Sequence, residues 1–467
     1  YGLFSGLTGA AVGIVAGLYL LPRIANNAYA HSFTLPKIIT PFNLKWTISA
    51  IVLALLSTVL PAVVVAKKEL LEKPSALLQP KPPANGSKIF LERISLIWNR
   101  MRFTHKVTAR NIFRYKKRML MTIFGVCGSV TILFAGLSVQ HSISGINDRQ
   151  FGEIIQYDLI VAENDNLSTE EQDEIKEKLS EKDVVKSYSP VYYEEYSVTA
   201  GKSKDNQTIK LICPENKDTF SDYISLDNRK TKEPISLSND GVAISERLAK
   251  LLDVSVGDTI TLKDSSGKSL DMKIAAITEM YTGHFVFVSP AYYEQFSTQE
   301  FSPNAYLISL CDNSSDNANE VASKFMKLDG IAGIVQNTTM INQINIIVKS
   351  LNKIMWVLIL IGALLGVVIL YNLTNINVSE RIRELSTIKV LGFFDKEVTF
   401  YIYRETVILT LIGILVGFLT GDWLYQYIIT VVPPDEVMFN PALSLKAFII
   451  PFLLISMITF VLGLVIN

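Results

Sequence analysis

A glycine-rich phosphate loop, a cysteine framework and a metal-ligand cluster are all missing from this 467-residue sequence. No Gly-x-x-x-x-Gly-Lys-Ser/Thr run occurs, so the chain brings no P-loop nucleotide site of its own. Three cysteines (Cys127, Cys213 and Cys311) give no framework, and spacing leaves open whether Cys213 and Cys311 pair. The four histidines (His31, His105, His141 and His284) are scattered, without metal-ligand spacing. His284, in Tyr281-Thr-Gly-His-Phe285, reads as a satisfied loop histidine. Tyr1-Gly-Leu-Phe-Ser-Gly6 lacks the basic flank of a signal peptide. Ionisable residues are nearly absent from the long apolar runs, Asp422 excepted, which argues against an enzyme embedded in the membrane. No residue pattern assigns a catalytic role.

What the chain has in quantity is apolar residues, gathered in blocks. It is 49% hydrophobic, with a mean hydropathy of +0.30. Six blocks, near 3–22, 46–66, 119–140, 354–376, 401–430 and 446–466, are mostly of the length a bilayer demands, about 20 residues. Net charge is zero, but its distribution is not even. Residues 67–118 hold 14 Lys/Arg against 3 Asp/Glu, a net of +11, whereas 141–350 hold 20 against 33, a net of −13. Because Lys and Arg concentrate in cytoplasmic loops, 67–118 is expected inside. Alternation then puts the amino terminus inside, 23–44, 141–350 and 431–445 outside, and 377–400 inside. Consistently, 377–400 carries Arg381, Arg383, Lys389 and Lys396, and 431–445 carries no Lys or Arg. The cluster Arg110, Arg114, Lys116, Lys117 and Arg118 precedes an apolar run, so it reads as a membrane-surface anchor and not a nucleic-acid site.

Between the fourth and fifth blocks lies a charged amphipathic segment, 377–392. Ile382, Leu385, Ile388 and Leu391 recur at helical spacing, and Gly392 is placed to stop the helix. A short helix held between two spans stays at the membrane surface, where a cytoplasmic partner reaches it. Glu380-Arg381-Ile382-Arg383-Glu384-Leu385, followed by Ile388-Lys389-Val390-Leu391-Gly392, resembles the signature of the FtsX-like (MacB-type) ABC transporter permeases. Thr108-Ala-Arg-Asn-Ile-Phe-Arg-Tyr-Lys-Lys-Arg-Met119 resembles the family's approach to its first span. The resemblance implies a coupling helix over 377–392 that rests on a separate ABC ATPase subunit, itself a dimer. ATP and Mg would sit on that partner, with no cofactor on this chain. Contact residues carried over are Glu380, Arg381, Arg383, Glu384, Leu385, Lys389, Leu391, Gly392 and Phe393.

An internal repeat is also legible. Leu7-Thr-Gly-Ala-Ala-Val-Gly-Ile-Val-Ala-Gly17 aligns with Leu411-Ile-Gly-Ile-Leu-Val-Gly-Phe-Leu-Thr-Gly421, setting Gly9, Gly13 and Gly17 opposite Gly413, Gly417 and Gly421. Glycine at every fourth position clears one helix face for close helix packing. Residues 1–66 therefore read as the last two spans of a first FtsX-like unit. Residues 67–118 read as a cytoplasmic linker, with a boundary at 74–88 and an interfacial helix over Ile89–Trp98. A span follows at 119–140, then an outside domain at 141–350. Residues 351–467 form a second permease domain with three spans. The chain thus reads as the C-terminal portion of a longer two-unit permease.

The expected fold class is a membrane α-helical protein of about six transmembrane helices with a MacB-like α+β extracytoplasmic domain. In that domain 170–180 reads as a helix capped at Ser168 or Thr169, and 259–277 as a hairpin. Strands are expected at Tyr192–Thr199 and Thr208–Ile212. Ala243–Leu262 and Ser289–Phe296 resemble passages of MacB-type domains. From 340 to 373 a helical pattern continues from the outside domain into the membrane, and one rigid rod of about 50 Å is expected. The implied function is a permease subunit of a bacterial plasma-membrane ABC transporter. It would couple ATP hydrolysis on its partner to conformational work on the outer face: export or extraction of a peptide, lipid, lipoprotein or drug, or regulation of a hydrolase. Partners are the ATPase, the bilayer and an extracytoplasmic peptide, lipid or protein; no nucleic acid is expected. The alternative is a membrane sensor or scaffold whose outside domain binds a ligand without transport.

Overall fold

The computed structural model describes residues 2–20, 22–23, 26, 43–71, 92, 98–100, 103–200, 205–264, 267–297, 301–390, 392 and 394–466. The expected linker at 74–88 lies outside them, as does the interfacial helix at Ile89–Trp98 apart from Glu92 and Trp98. In chain order the helices are α1 (Gly2–Val15, continued by a π turn, Ala16–Leu20), α2 (Leu44–Leu70), α3 (Phe103–Arg114), α4 (Lys116–Ser144) and α5 (Thr169–Leu179). Then come α6 (Glu246–Leu252), α7 (Pro290–Phe296), α8 (Ser315–Phe325), α9 (Asn337–Val390), α10 (Asp395–Val431) and α11 (Leu445–Ile466). The strands are β1 (Leu159–Glu163), β2 (Val185–Ala200), β3 (Asp205–Pro214), β4 (Val242–Ser245) and β5 (Thr259–Lys263). They continue with β6 (Ser269–Thr278), β7 (His284–Phe287), β8 (Ala305–Leu310) and β9 (Ile331–Gln336). Among the described residues six helices, α1, α2, α4, α9, α10 and α11, are long and apolar enough to cross a membrane.

The chain divides into two compact units. The first comprises Tyr1–Gln140, Lys349–Tyr425 and Ser444–Asn467. Its core joins Val126, Val130 and Leu133 of α4 to Ile359 and Leu370 of α9, Ile414 of α10 and Ile455 of α11. Large apolar residues such as Trp356, Leu364, Leu415 and Leu453 stay exposed, as lipid-facing positions should, since hydrocarbon chains accept them without cost. The helix α9 is 54 residues long without a break, about 80 Å at the usual rise. The expected rod is therefore longer than the pattern at 340–373 implied. The segment 377–390 is not a separate short helix but the final stretch of this one. The sequence explains the continuity: from Asn337 to Val390 there is no proline, and glycine occurs only at 362 and 366. Both glycines are used for close packing, because a Cβ at Gly362 would lie 3.1 Å from Ile132 Cγ2 and one at Gly366 2.6 Å from Ser129 Oγ.

The second unit comprises His141–Val348 and Gln426–Leu443. Among the described residues nine strands form one mixed sheet in the order β3-β7-β4-β6-β5-β2-β8-β1-β9, with β3 also paired to β2. The long strand β2 organises it. Residues 185–191 pair with β8, residues 191–200 pair with β3, and Ser197 reaches Lys263 of β5. Six strands thus close into a ring around Leu211, Ile244, Leu262, Met272 and Val286. The other three, β8, β1 and β9, carry a second core with α5 and α8, centred on Leu159, Ile175, Ile308 and Val321. Ser168 caps α5 in a reciprocal box with Glu171. β5 and β6 form the expected hairpin, and Ser289 caps α7 ahead of Pro290. Gly257 takes φ +100° in the turn before β5, where a side chain would be strained. Cys213 is buried and Cys311 exposed, and both are free thiols.

Candidate functional site: a coupling segment, a glycine-packed bundle and an outer loop

Of the residues carried over to the coupling segment, Glu380, Arg381, Arg383, Glu384, Leu385 and Lys389 belong to the last turns of α9; their side chains are outside the described structure. Leu391 and Phe393 lie outside the described residues altogether. Gly392 adopts φ +93°, a left-handed conformation natural to a glycine that ends a helix. The chain then turns directly into α10 at Asp395.

The two glycine stripes separate. A Cβ at Gly413 would lie 2.8 Å from Val126 Cβ, one at Gly417 2.6 Å from Val130 Cβ, and one at Gly421 2.9 Å from Phe134 Cδ1. The second stripe is therefore the seat of α4 on α10. A polar contact reinforces it: the hydroxyls of Thr131 and Thr420 are 2.6 Å apart. On the α9 side, Ser129 Oγ donates to the Gly362 carbonyl at 2.7 Å. By contrast, Cβ atoms built at Gly9, Gly13 and Gly17 meet nothing within 4 Å among the described residues. In α1 it is Gly2 and Gly6 that come close to α2, with a Cβ at Gly6 only 2.6 Å from Thr58 Oγ1. The glycines that seat α9 and α11, at 125, 136, 362, 366 and 463, were missed because they are isolated or paired and not in a triple.

A second missed feature is ionic. Arg118 Nη2 and Glu405 Oε1 are 2.5 Å apart, with side chains 6% and 5% exposed. Arg118 also lies 4.7 Å from the Tyr115 ring centroid. This pair joins the beginning of α4 to α10 ten residues after α10 starts. The apolar run 401–430 thus contains a buried, paired acid in addition to Asp422. Asp422 Oδ1 is itself buried with no hydrogen-bond partner among the described residues.

In the second unit the loop after α10 is pinned to the outer domain. Gly283 N donates to the Glu436 carbonyl (2.9 Å), Met438 N to Tyr281 O (2.7 Å) and Asn440 N to Ser142 O (3.2 Å). Arg247 donates Nε to the Asp435 carbonyl at 2.9 Å and Nη2 to that of Pro434 at 3.1 Å. Nearby, Glu279 accepts from Arg149 at 2.8 Å, Lys232 at 3.2 Å and the Tyr281 hydroxyl at 2.5 Å. Burial alone would raise the Glu279 pKa, but the hydrogen bonds outweigh it and bring it down to about 2. His284 is not the satisfied loop histidine expected. It is 1% exposed, and neither ring nitrogen has a partner among the described residues. Burial, then the nearby Arg247 charge, lower its pKa to about 4, so the ring is neutral at physiological pH. No grouping of His, Cys, Asp and Glu suited to a metal occurs among the described residues.

A multi-pass helical membrane protein with a mixed α+β domain inserted between spans is what these parts define. Residues 119–326 match the family of MacB-like periplasmic core domains, and residues 356–466 match the FtsX-like permease C-terminal domain. The chain is an ABC-type permease of the MacB/FtsX kind, a multi-pass protein of the bacterial plasma membrane. Solved structures similar to it include the periplasmic region of MacB from Actinobacillus actinomycetemcomitans, with 14% identity and a TM-score of 0.24, covering 43% of this chain and 96% of that one. Another is the extracellular domain of the noncanonic ABC-type transporter YknZ from Gram-positive bacteria, with 15% identity and a TM-score of 0.21, covering 37% and 91%. At those scores neither superposition adds to the assignment, which rests on the family matches. A search of curated proteins found no match.

Proposed function

We propose that this chain converts ATP hydrolysis on a separate cytoplasmic ABC ATPase into conformational work on the outer face of the membrane. The observation that carries the reading is the 54-residue helix Asn337–Val390. Its first residue follows β9 of the outer domain directly, and its last turns hold the Glu380–Lys389 segment that resembles the family's coupling helix. A displacement of those turns by the ATPase would be carried along this helix toward the sheet edge. Nucleotide would act by favouring one of two permease conformations, which requires that the ATPase contact the two differently. ATP and Mg belong to the partner, consistent with the missing P-loop.

The test is ATPase activity and complex formation of the permease purified with its candidate ATPase, comparing wild type with the Glu380→Ala/Arg383→Ala variant. Loss of both in the variant is expected. Unchanged binding and hydrolysis, even when any further coupling segment of the full permease is mutated as well, would remove 377–392 from the mechanism.

A further inference from the structure

The second unit contains a cavity of about 710 Å³ whose walls come from the last turns of α10, the loop after it, α6, and Arg229 from the segment before β4. Its charged lining is Arg229, Arg247, Lys250 and Asp435, three cations against one acid, with Gln426 and Thr430 as neutral polar groups. That balance stands out on a domain whose overall charge is strongly negative. A second acid, Glu246, is not in the lining. It lies behind, accepting from Arg229 at 2.7 and 2.9 Å and from Lys250 at 2.8 Å. Burial works against the Glu246 carboxylate, but the hydrogen bonds from Arg229 and Lys250 hold its pKa below the usual range, so it stays charged and orients both cations. Arg229 spends Nε and Nη2 on Glu246, and Arg247 spends the same two atoms on loop carbonyls. Nη1 of each guanidinium makes no bond among the described residues and remains available to an anion.

Most of the remaining lining is apolar, including Ile429, Val431 and the buried Met438 and Phe439. Ile429 and Val431 belong to the last turn of the membrane-crossing segment Tyr403–Val431. A cavity built on the final turn of a span opens at the depth where lipid headgroups meet acyl chains. Cations aimed at phosphate beside an apolar wall are what an anionic amphiphile requires: charge-assisted hydrogen bonds for the head and dry surface for the chain.

We infer that this cavity binds the anionic headgroup of an outer-leaflet lipid, with the beginning of its acyl chain against Ile429, Val431 and Phe439. This deepens the proposed function by naming an anionic lipid as the molecule on which outer-face work is done. Binding itself needs neither ATP nor the ATPase, so its failure and the failure of the coupling test are separable.

The experiment places the full chain in nanodiscs containing equal amounts of phosphatidylglycerol and phosphatidylcholine. It then counts the lipids retained after gentle detergent transfer by native mass spectrometry. Wild type is expected to retain phosphatidylglycerol about tenfold over phosphatidylcholine. Arg229→Ala/Lys250→Ala should bring the two near equality. Thr430→Glu, which adds an acid to an exposed position of the cavity wall without touching an ion pair, should do the same in a folded protein. Equal retention by wild type, or a preference unchanged in Thr430→Glu, would overturn the inference. Release of bound phosphatidylglycerol by millimolar glycerol phosphate would also overturn it, since the site would then read a soluble anion and not a lipid.

Discussion

The same glycine triple occurs twice in this chain, and the two copies meet different surroundings. In α10 each glycine is pressed against a side chain of α4, so that a single added methyl would collide with Val126, Val130 or Phe134. In α1 the matching positions meet nothing within 4 Å among the described residues. Half of the apolar window in α4 is buried, against 6% in α1 and none in α2. A small-residue stripe is therefore a capacity for close approach and not evidence that approach occurs. What converts capacity into contact here is a partner helix with β-branched or aromatic residues at the same four-residue interval. In α10 an ion pair to that partner adds to the contact.

The most damaging way to probe the occupied copy is through that ion pair. Arg118→Met leaves the Glu405 carboxylate buried without its guanidinium, and loss of about 3–5 kcal/mol is expected. The double variant Arg118→Met/Glu405→Leu should recover most of it; thermal melts of detergent-solubilised protein would show whether it does. Next in size is the stripe. Gly417→Leu forces overpacking against Val130, a cost of about 1–3 kcal/mol, and pairing it with Val130→Ala should restore part of the melting temperature. If the single variant melts like wild type, the packing described for α4 and α10 is wrong.

An acid titration sharpens the comparison through the other unit, where His284 and Glu279 lie. His284 binds a proton less readily folded than unfolded, so between about pH 6.5 and pH 4 the unfolded state holds more protons and stability falls as pH drops. At pH 5 the loss attributable to this residue is about 2 kcal/mol, measured as protease resistance of the outer domain. His284→Phe should flatten that window. Glu279, held at about 2, contributes stability that is complete above its unfolded value and disappears only as pH falls further toward 2. The Gly417→Leu defect should be the same at pH 7 and pH 5. The smallest effect is expected at the open stripe: Gly13→Leu should change the melt by less than about 0.5 kcal/mol, the range for positions without a packed neighbour. A drop matching that of Gly417→Leu would mean that α1 has a close partner after all.

Much of the architecture could be read from residue order, because the signals were local. Apolar length marked the spans, a cap at Ser168 or Thr169 marked the start of α5, Gly392 marked the end of α9, and the turn between β5 and β6 marked their hairpin. The illegible parts depended on distant partners. Arg118 and Glu405 are 287 residues apart, and each looks like an ordinary charge at the edge of an apolar run. The strands β4 and β7 are buried at every position, so they lack the alternation that identifies a half-exposed strand. The closing of the six-stranded ring through Ser197 and Lys263 has no local trace. Continuity of α9 was understated because its polar approach, apolar middle and charged end look like three segments when judged by composition. The cavity beside α10 was invisible for a related reason: Arg229, Arg247 and Lys250 become neighbours of Ile429 only through the fold.

One feature of the outer domain bears on how such proteins diversify. Its first and last strands lie side by side, Leu159 opposite Gln336. The chain leading in from α4 is tied to α9, which leads out, Asn147 Nδ2 donating to Asn345 Oδ1 at 2.7 Å. Nearly two hundred residues thus depart from and return to one small doorway, and the chain closes that loop whatever is built inside it. A different sheet, a shorter hairpin or no domain at all could be spliced between Asn147 and Asn345 without moving the helix ends, since loop-closure cost grows only slowly with length. The domain has the connections of an exchangeable cassette: what is built between its two ends can change while the membrane helices keep their places.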